Sequence, residues 1–436
     1  KKDEKISGIY LDMTVIPAGM ATIEEIRNAL IEFKESGKFV IAYSDTYVQT
    51  SYYLASVADK IYMNPAGFIS LKGLSSEVMF FKDALDKLGI EPQIIRHGKF
   101  KSAIEPLTRN EMSKENRTQI MEYVSDLWTQ MAEGLAEKRG LTVEKVNELT
   151  EALELNKAES AVEHNFIDGL KYKDEILKEL KDSSKTKKDD VQFIGLSKYS
   201  KSPKIKEYKG LAKEKIAVVY AMGSVIMGEG EEGSIGSDRI SRAIRKARED
   251  STIKAIVFRV NSGGGSALAS EVIWRELKLA SEAKPVVASL GDVAASGGYY
   301  IVAPADTIVA SPNTITGSIG VFGVIPNFKE LMNDKLGIYI DVAKTHQYSD
   351  MGSPFRSLTA KEREVIKGGI EKVYDTFVTR VAEGRGMTKE QVDEIAQGRV
   401  WSGMDAKELG LVDLFGGMET AVEIEAEMAK VETYRT

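Results

Sequence analysis

GDVAASGGYYIVAPADTIVASP, residues 291–312, has a partner earlier in the same chain: SDTYVQTSYYLASVADKIYMNP, residues 44–65. Laid side by side at one constant offset, Asp292 falls on Asp45, Tyr300 on Tyr53, Asp306 on Asp59 and Pro312 on Pro65. The match continues where GIEPQIIRHGKFKSAIEP (89–106) falls on GIYIDVAKTHQYSDMGSP (337–354). A repeat of this length is a duplicated domain, not a short-period solenoid. The copies differ where chemistry would lie. Ser296, in a turn of small residues, falls on Gln49, and Lys101 falls on Ser349. One half offers a serine without the lysine, and the other the lysine without the serine. A duplicated enzyme that divided one site between its copies has this pattern.

Working outward, each copy alternates strand and helix signals. FVIAY (39–43), AIVFRV (255–260) and PVVASL (285–290) are short apolar runs bounded by polar or glycine residues, the mark of strands buried on both faces. Between them lie amphipathic helices. Ile26, Leu30 and Phe33 share a face, as do Ile120, Tyr123, Leu127, Met131 and Leu135, and again Ile366, Ile370, Val373, Phe377 and Val381. Thr359 with Glu362, and Thr388 with Gln391, are capping-box pairs that predict helix starts. Strand–helix alternation predicts an α/β fold: a tandem duplication with largely parallel sheets flanked by helices. The polar stretch KDSSKTKKDD (181–190), extended to Gly210, predicts a linker over 181–210. The first domain is then 1–180 and the second 211–436.

The 436 residues are 43% hydrophobic and 29% charged, enough for two or three domains with ample cores. A net charge of −7 gives no electrostatic footprint for nucleic acid. The chain has no cysteine, which excludes disulfides, thiolate metal sites and a cysteine nucleophile. Its only histidines, His97, His164 and His346, argue against a multi-histidine metal site. No apolar run approaches the ~20 residues that span a bilayer. The opening KKDEKISGIYLDM has no initiator Met, and KISGIYLDM corresponds to IKAIVFRVN (253–261). The strand KIAVVYAMGSVIM (215–227) that precedes this point in the second copy has no counterpart in the first. The expectation is a truncated or processed piece, lacking the first strand of its first domain and an upstream membrane anchor.

Four stretches carry candidate chemistry. In AASGGYY (294–300), small residues let a strand-to-helix turn expose the Ser296 hydroxyl, although Ala294 departs from G-x-S-x-G. In NSGGGS (261–266), clustered glycines after a strand free N–H groups for an oxyanion. Neither a dinucleotide fingerprint nor a phosphate loop fits there. Lys101, in HGKFKSAIEP, acts as a base only if burial lowers its pKa. Ser318, in TGSIG (316–320), is either a turn residue or a hydroxyl that orients a base. Taken alone, Ser296 and Ser318 read more readily as turn residues and Lys101 as a solvated lysine, and only the NSGGGS turn is balanced between the two readings. An S-x-x-K match at Ser281–Lys284 sits at a helix end before a strand and reads as coincidence.

Together, RVNSGGGS, GDVAASGGYYIVAPAD, TGSIGVFG and HGKFKSAIEP resemble the long, two-domain form of signal peptide peptidase A, in the family's order and over essentially the whole chain. The resemblance implies a fold related to the Clp protease proteolytic subunit and the crotonases. It implies a serine endopeptidase with Ser296 as nucleophile, Lys101 as general base and Ser318 as the base-orienting hydroxyl. The oxyanion donors would be the N–H groups of Gly264, Gly265 and Gly297. It further implies cleavage of unfolded or apolar peptides such as remnant signal peptides. No metal or cofactor is implied. A homo-oligomer, a tetramer, is, as is attachment to the bacterial inner membrane with the catalytic part facing the periplasm or exterior. One departure is Gly263, where the family usually has proline. Two other readings remain: a crotonase-like enzyme acting on acyl thioesters through the same oxyanion turn, and a non-catalytic scaffold of the same fold.

Overall fold

The computed structural model describes residues 1–185, 191–202 and 214–436. They form two compact units. The first holds Lys1–Leu74 and the described residues from Ser125 to 202. The second holds Ser75–Val124 and the residues from 214 onward.

In the first unit a parallel sheet runs in the order Gly8–Asp12, Phe39–Ser44, Lys60–Met63, Gly169–Leu170. The helices Met20–Lys34, Gln49–Ala55 and Val143–Glu151 flank it. Its core joins Ile23, Leu30, Val40, Tyr52, Ile61 and Phe166. Ile26 departs from the expected face: it is 40% exposed, and Arg27 turns inward instead, its guanidinium over the Tyr53 ring. Residues 181–184, expected in the linker, are the last turn of the helix Lys173–Ser184, whose Ile176 and Leu180 are buried. The rest of the expected linker falls partly on 186–190 and 203–210, outside the described residues.

In the second unit the sheet order is Val400–Ser402, Ile315–Gly317, Val286–Ala295, Ile253–Ser262, Glu214–Met222, Tyr434–Arg435. Every pairing is parallel except that of Val400–Ser402 with Ile315–Gly317. The strand Val286–Ala295 changes partners along its length. Val287–Ser289 pair with Thr307–Val309, and Val293–Ala295 with Ile315–Gly317. Parallel strands buried on both faces need apolar residues throughout, and Val286, Val287, Ala288 and Leu290 are fully buried. Both capping boxes form, Thr359 with Glu362 and Thr388 with Gln391.

The repeat is visible element by element. Met20–Lys34 corresponds to Ala267–Ser281, Gln49–Ala55 to the turn and helix from Ser296 to Val302, and Lys60–Met63 to Thr307–Ala310. Compactness, however, does not follow the repeat boundary. Residues 75–124 come from the first copy by sequence, yet they pack in the second unit. The cause is a two-stranded antiparallel ladder in which Glu91–His97 pairs with Val321–Asn327.

Candidate active site

The site grows from three chain segments, the first two at the carboxyl ends of parallel strands, the edge where α/β sheets place their ligands, and the third from an antiparallel ladder beside them. The first is the end of Val286–Ala295. Ser296 follows it and caps the short helix Gly297–Val302. Its backbone is at φ 54°, ψ −122°, a region that costs a non-glycine residue on the order of 1–3 kcal/mol. Surrounding bonds hold it there: the Ser296 N–H donates to Gly317 O at 2.9 Å, and Ser296 O accepts from the N–H groups of Tyr299 and Tyr300. Only glycine fits next to it. A Cβ at Gly298 would lie 2.5 Å from Ser262 O, and one at Gly297 2.7 Å from Ser270 Oγ.

The second segment is the turn after Ile253–Ser262. The Ser262 hydroxyl donates to Gly223 O at 2.6 Å and accepts from the Gly264 N–H at 3.0 Å. Gly264, at φ 97°, packs its Cα side against Gly297 N and Ser296 Cβ. The Gly264 amide is thus committed to Ser262, which leaves the amides of Gly265 and Gly297 as the candidate oxyanion donors. Val225 closes the turn from outside, donating to Gly264 O and accepting from the Ser266 N–H. The Gly263 position meets no neighbour within 4 Å, so the turn stands without the proline of the family pattern.

The third segment brings the lysine. In the antiparallel ladder His97 lies opposite Val321. Beyond that pair, Lys101 in one strand's continuation and Ser318 in the other's reach the same place. Lys101 Nζ is 3.0 Å from Ser296 Oγ, 2.9 Å from Ser318 O and 3.0 Å from Ser318 Oγ. Ser318, at φ 51°, is fixed by its N–H on Arg399 O and its hydroxyl on Gly398 O. Lys101 is 4% exposed, and burial lowers its pKa from 10.5 to about 8. Desolvation disfavours the ammonium form and here meets no nearby carboxylate to offset it.

The reciprocal positions hold no such group. Gln49, opposite Ser296 in the repeat, spends its side chain on its own loop, donating to Gly73 O at 3.2 Å and accepting from the Lys72 N–H at 3.1 Å. Ser349, opposite Lys101, is exposed, and its hydroxyl donates to His346 O. Of the histidines, His97 stacks on Tyr374 at 3.9 Å. Lys284 of the S-x-x-K match binds Ala247 O and Asp250 O, away from Ser281. Among the described residues no group of three or more acidic or histidine side chains is arranged to hold a metal ion, and no helix is long and apolar enough to cross a membrane.

Two supporting residues were not singled out from the sequence. Ser262 lies inside the glycine turn and gave a local hint. Gln119, buried next to the Lys101 loop, gave none beyond being a polar residue beside Ile120 on an amphipathic helix.

Comparison with known proteins gives the family of the chain. The model of peptidase family S49 matches residues 32–187 and again 278–432. Protease 4 of Haemophilus influenzae is 38% identical over 431 residues, covering 96% of this chain and 70% of that protein. The chloroplastic serine protease SPPA of Arabidopsis thaliana is 33% identical over 447 residues, covering 98% of this chain and 64% of that protein. Among solved structures, the ClpP1 N165D mutant from Listeria monocytogenes aligns with 47% of this chain and 94% of its own at 17% identity and a TM-score of 0.32. With the family model matched in both copies and relatives aligned over nearly the whole chain, this protein belongs to peptidase family S49, in its two-domain signal peptide peptidase A form, and is a peptidase.

Proposed function

We propose that the chain is a serine endopeptidase in which Ser296 is the nucleophile and Lys101 the general base. One observation carries the reading: a buried lysine has its Nζ 3.0 Å from the hydroxyl of a strained serine, with two other acceptors already on that nitrogen. A neutral amine has two N–H bonds. Spent on Ser318 O and Ser318 Oγ, they leave its lone pair facing Ser296. Lys101 takes the proton as Ser296 Oγ attacks the peptide carbonyl. The oxyanion collects hydrogen bonds from Gly265 and Gly297, each such donor worth roughly 3 kcal/mol in acyl transfer. The ammonium then returns its proton to the leaving amine, and the peptide bond breaks. Water, deprotonated by Lys101, hydrolyses the ester and releases Ser296.

The proposal extends to substrate and assembly. The strand that bridges Gly265 carries exposed Ile226 and is followed by exposed Met227; Leu268, past the turn, is exposed too. An apolar rim of this kind suits flexible apolar peptides such as cleaved signal peptides, beside a bacterial membrane on its outer side. Self-association is supported by the repeat. Residues 339–345 are the second copy's counterpart of the strand Glu91–His97, yet they pair with nothing among the described residues and expose Tyr339 (78%) and Ile340. Residues 75–80, counterpart of the strand's partner, are likewise unpaired and expose Met79. Exchange of these segments between copies would complete a second ladder and build the homo-oligomer, a tetramer.

Hydrolysis of a flexible fluorogenic peptide by the parent and a folded Ser296→Ala variant tests the reading. Activity lost in the variant is the expected result. Activity that survives would remove Ser296 as nucleophile and assign the cleavage to another group.

A further inference from the structure

Lys101 sits on a loop, and a loop holds a base only as well as it is itself held. One side chain does much of that holding. Gln119, in the helix Lys114–Arg139, is 2% exposed. Its Nε2 donates to Phe100 O at 3.2 Å and to Ser102 Oγ at 2.8 Å, the residues on either side of Lys101. Its Oε1 accepts from the Val400 N–H at 3.2 Å. Val400 opens the strand that lies antiparallel to Ile315–Gly317, opposite Gly317, the residue before Ser318. A single amide therefore ties both flanks of the lysine to the strand beside its second partner.

The amide is backed in turn. Nε2 also lies 3.2 Å from Asn116 Oδ1, and Asn116 Nδ2 donates to Glu105 Oε2 at 3.1 Å. Glu105, 2% exposed, also accepts from the N–H and hydroxyl of Ser113. The Phe100 N–H donates to Gln397 O, and Arg399, paired with Glu122, lies over the Phe100 ring. Glu105, Glu122 and Arg399 pack around the loop, which itself carries His97 and Lys99, and the contacts of Lys101 Nζ are to Ser296 and Ser318.

We propose that Gln119 is a positioning residue for Lys101, clamping the loop against the Val400 strand so that Nζ stays buried and within reach of Ser296. The inference rests on the Ser296–Lys101 reading. Loosening the clamp has two consequences. The reacting atoms drift apart, and displacements near 1 Å can cost about a hundredfold in rate. Water also reaches the amine, so its titration moves up toward that of an ordinary lysine.

The test is the pH–rate profile of peptide hydrolysis by the full chain, comparing the parent with Gln119→Met and Ser102→Ala. Gln119→Met keeps the length and removes every hydrogen bond. Ser102→Ala removes one bond under the same amide and serves if Gln119→Met does not fold. The expected result at pH 7 is a kcat lower by roughly ten- to a hundredfold for Gln119→Met, with less effect for Ser102→Ala and little change in KM. In both, the rising limb shifts to higher pH, so that the deficit against the parent is largest near pH 7 and narrows as pH climbs past 8 toward 10.5, down to the part that comes from distance alone. Equal loss at all pH values with an unmoved limb, or no loss at all, overturns the positioning role. A parent profile without a limb, or activity surviving Lys101→Ala, would instead overturn the dyad on which the inference rests.

Discussion

Lys101 is the residue whose burial the site depends on, and burial leaves a signature in stability as well as rate. Its folded pKa, about 8, lies below the 10.5 of the unfolded chain, so between these values the unfolded state binds more protons. The sign is a penalty on the native state that is full below pH 8 and vanishes as pH rises toward 10.5, on the order of 3 kcal/mol at its largest. Lys101→Met is therefore expected to be inactive yet to melt higher than the parent at pH 7, with the gap closing between pH 8 and 10.5. Thermal melts across that range check it, and a gap independent of pH would mean that the lysine is not buried neutral. The glycines separate in the same residue-level way. Gly298→Ala drives a Cβ onto Ser262 O and is expected to lose most activity, whereas Gly263→Ala points into open space at an ordinary φ. The latter should keep activity and gain about 0.4–1 kcal/mol, as substitutions of unstrained glycines do. Denaturant titration and peptide hydrolysis of the two variants decide this.

At the scale of elements, much was legible because periodicity and turn chemistry are local. The apolar runs at 39–43, 255–260 and 285–290 became strands, and the two capping boxes began helices where they stood. What stayed hidden was which elements meet. The ladder of Glu91–His97 with Val321–Asn327 joins segments that no local pattern links, and with the bond from the Phe100 N–H to Gln397 O it packs Lys101 with the second unit. Gln119 was hidden for the same reason, since its partners at 100, 102 and 400 are close only once the chain has folded. Glu425 is a third case: a polar residue on the apolar face of the helix Met418–Met428, fully buried against the sheet with Oε1 on the Val287 N–H. Burial pushes its pKa up from 4.5 to about 8, so the native state binds the extra proton. The penalty for holding it grows as pH rises from 4.5 to 8 and is constant above. Glu425→Gln keeps the acceptor for Val287 and should match the parent near pH 4.5 while melting higher above pH 8. Equal melting at both pH values would mean that the carboxyl stays ionised.

At the scale of the whole molecule, duplication explains the division of labour. Both copies keep the strand–turn–helix frame, but only the second keeps a serine in the strained turn, and only the first keeps the lysine after its strand. Gln49, at the position that matches Ser296, staples its own loop instead. That the two motifs belong to one site was readable from the sequence as complementary loss, because a duplicated frame makes absences comparable. The distances were not, because they depend on the ladder. The unpaired counterparts, 339–345 and 75–80, extend the same logic to assembly, since an exposed backbone without a ladder partner invites pairing with another chain. On the proposed assembly, a double variant, Tyr339→Asp with Ile340→Asp, is expected to sediment as a smaller species than the parent while leaving each copy folded. An unchanged mass would assign the interface elsewhere.

The central claim is that Lys101 activates Ser296, and covalent labelling tests it most directly. The parent, Ser296→Ala and Lys101→Ala proteins are treated with a serine-reactive fluorophosphonate from pH 6 to 10, and the adduct is located and timed by mass spectrometry. The account predicts one adduct, on Ser296, forming at a rate that climbs with pH through about 8, and virtually no adduct in either variant. An adduct on another residue, or a Ser296 adduct whose rate is indifferent to pH and to the loss of Lys101, would contradict it.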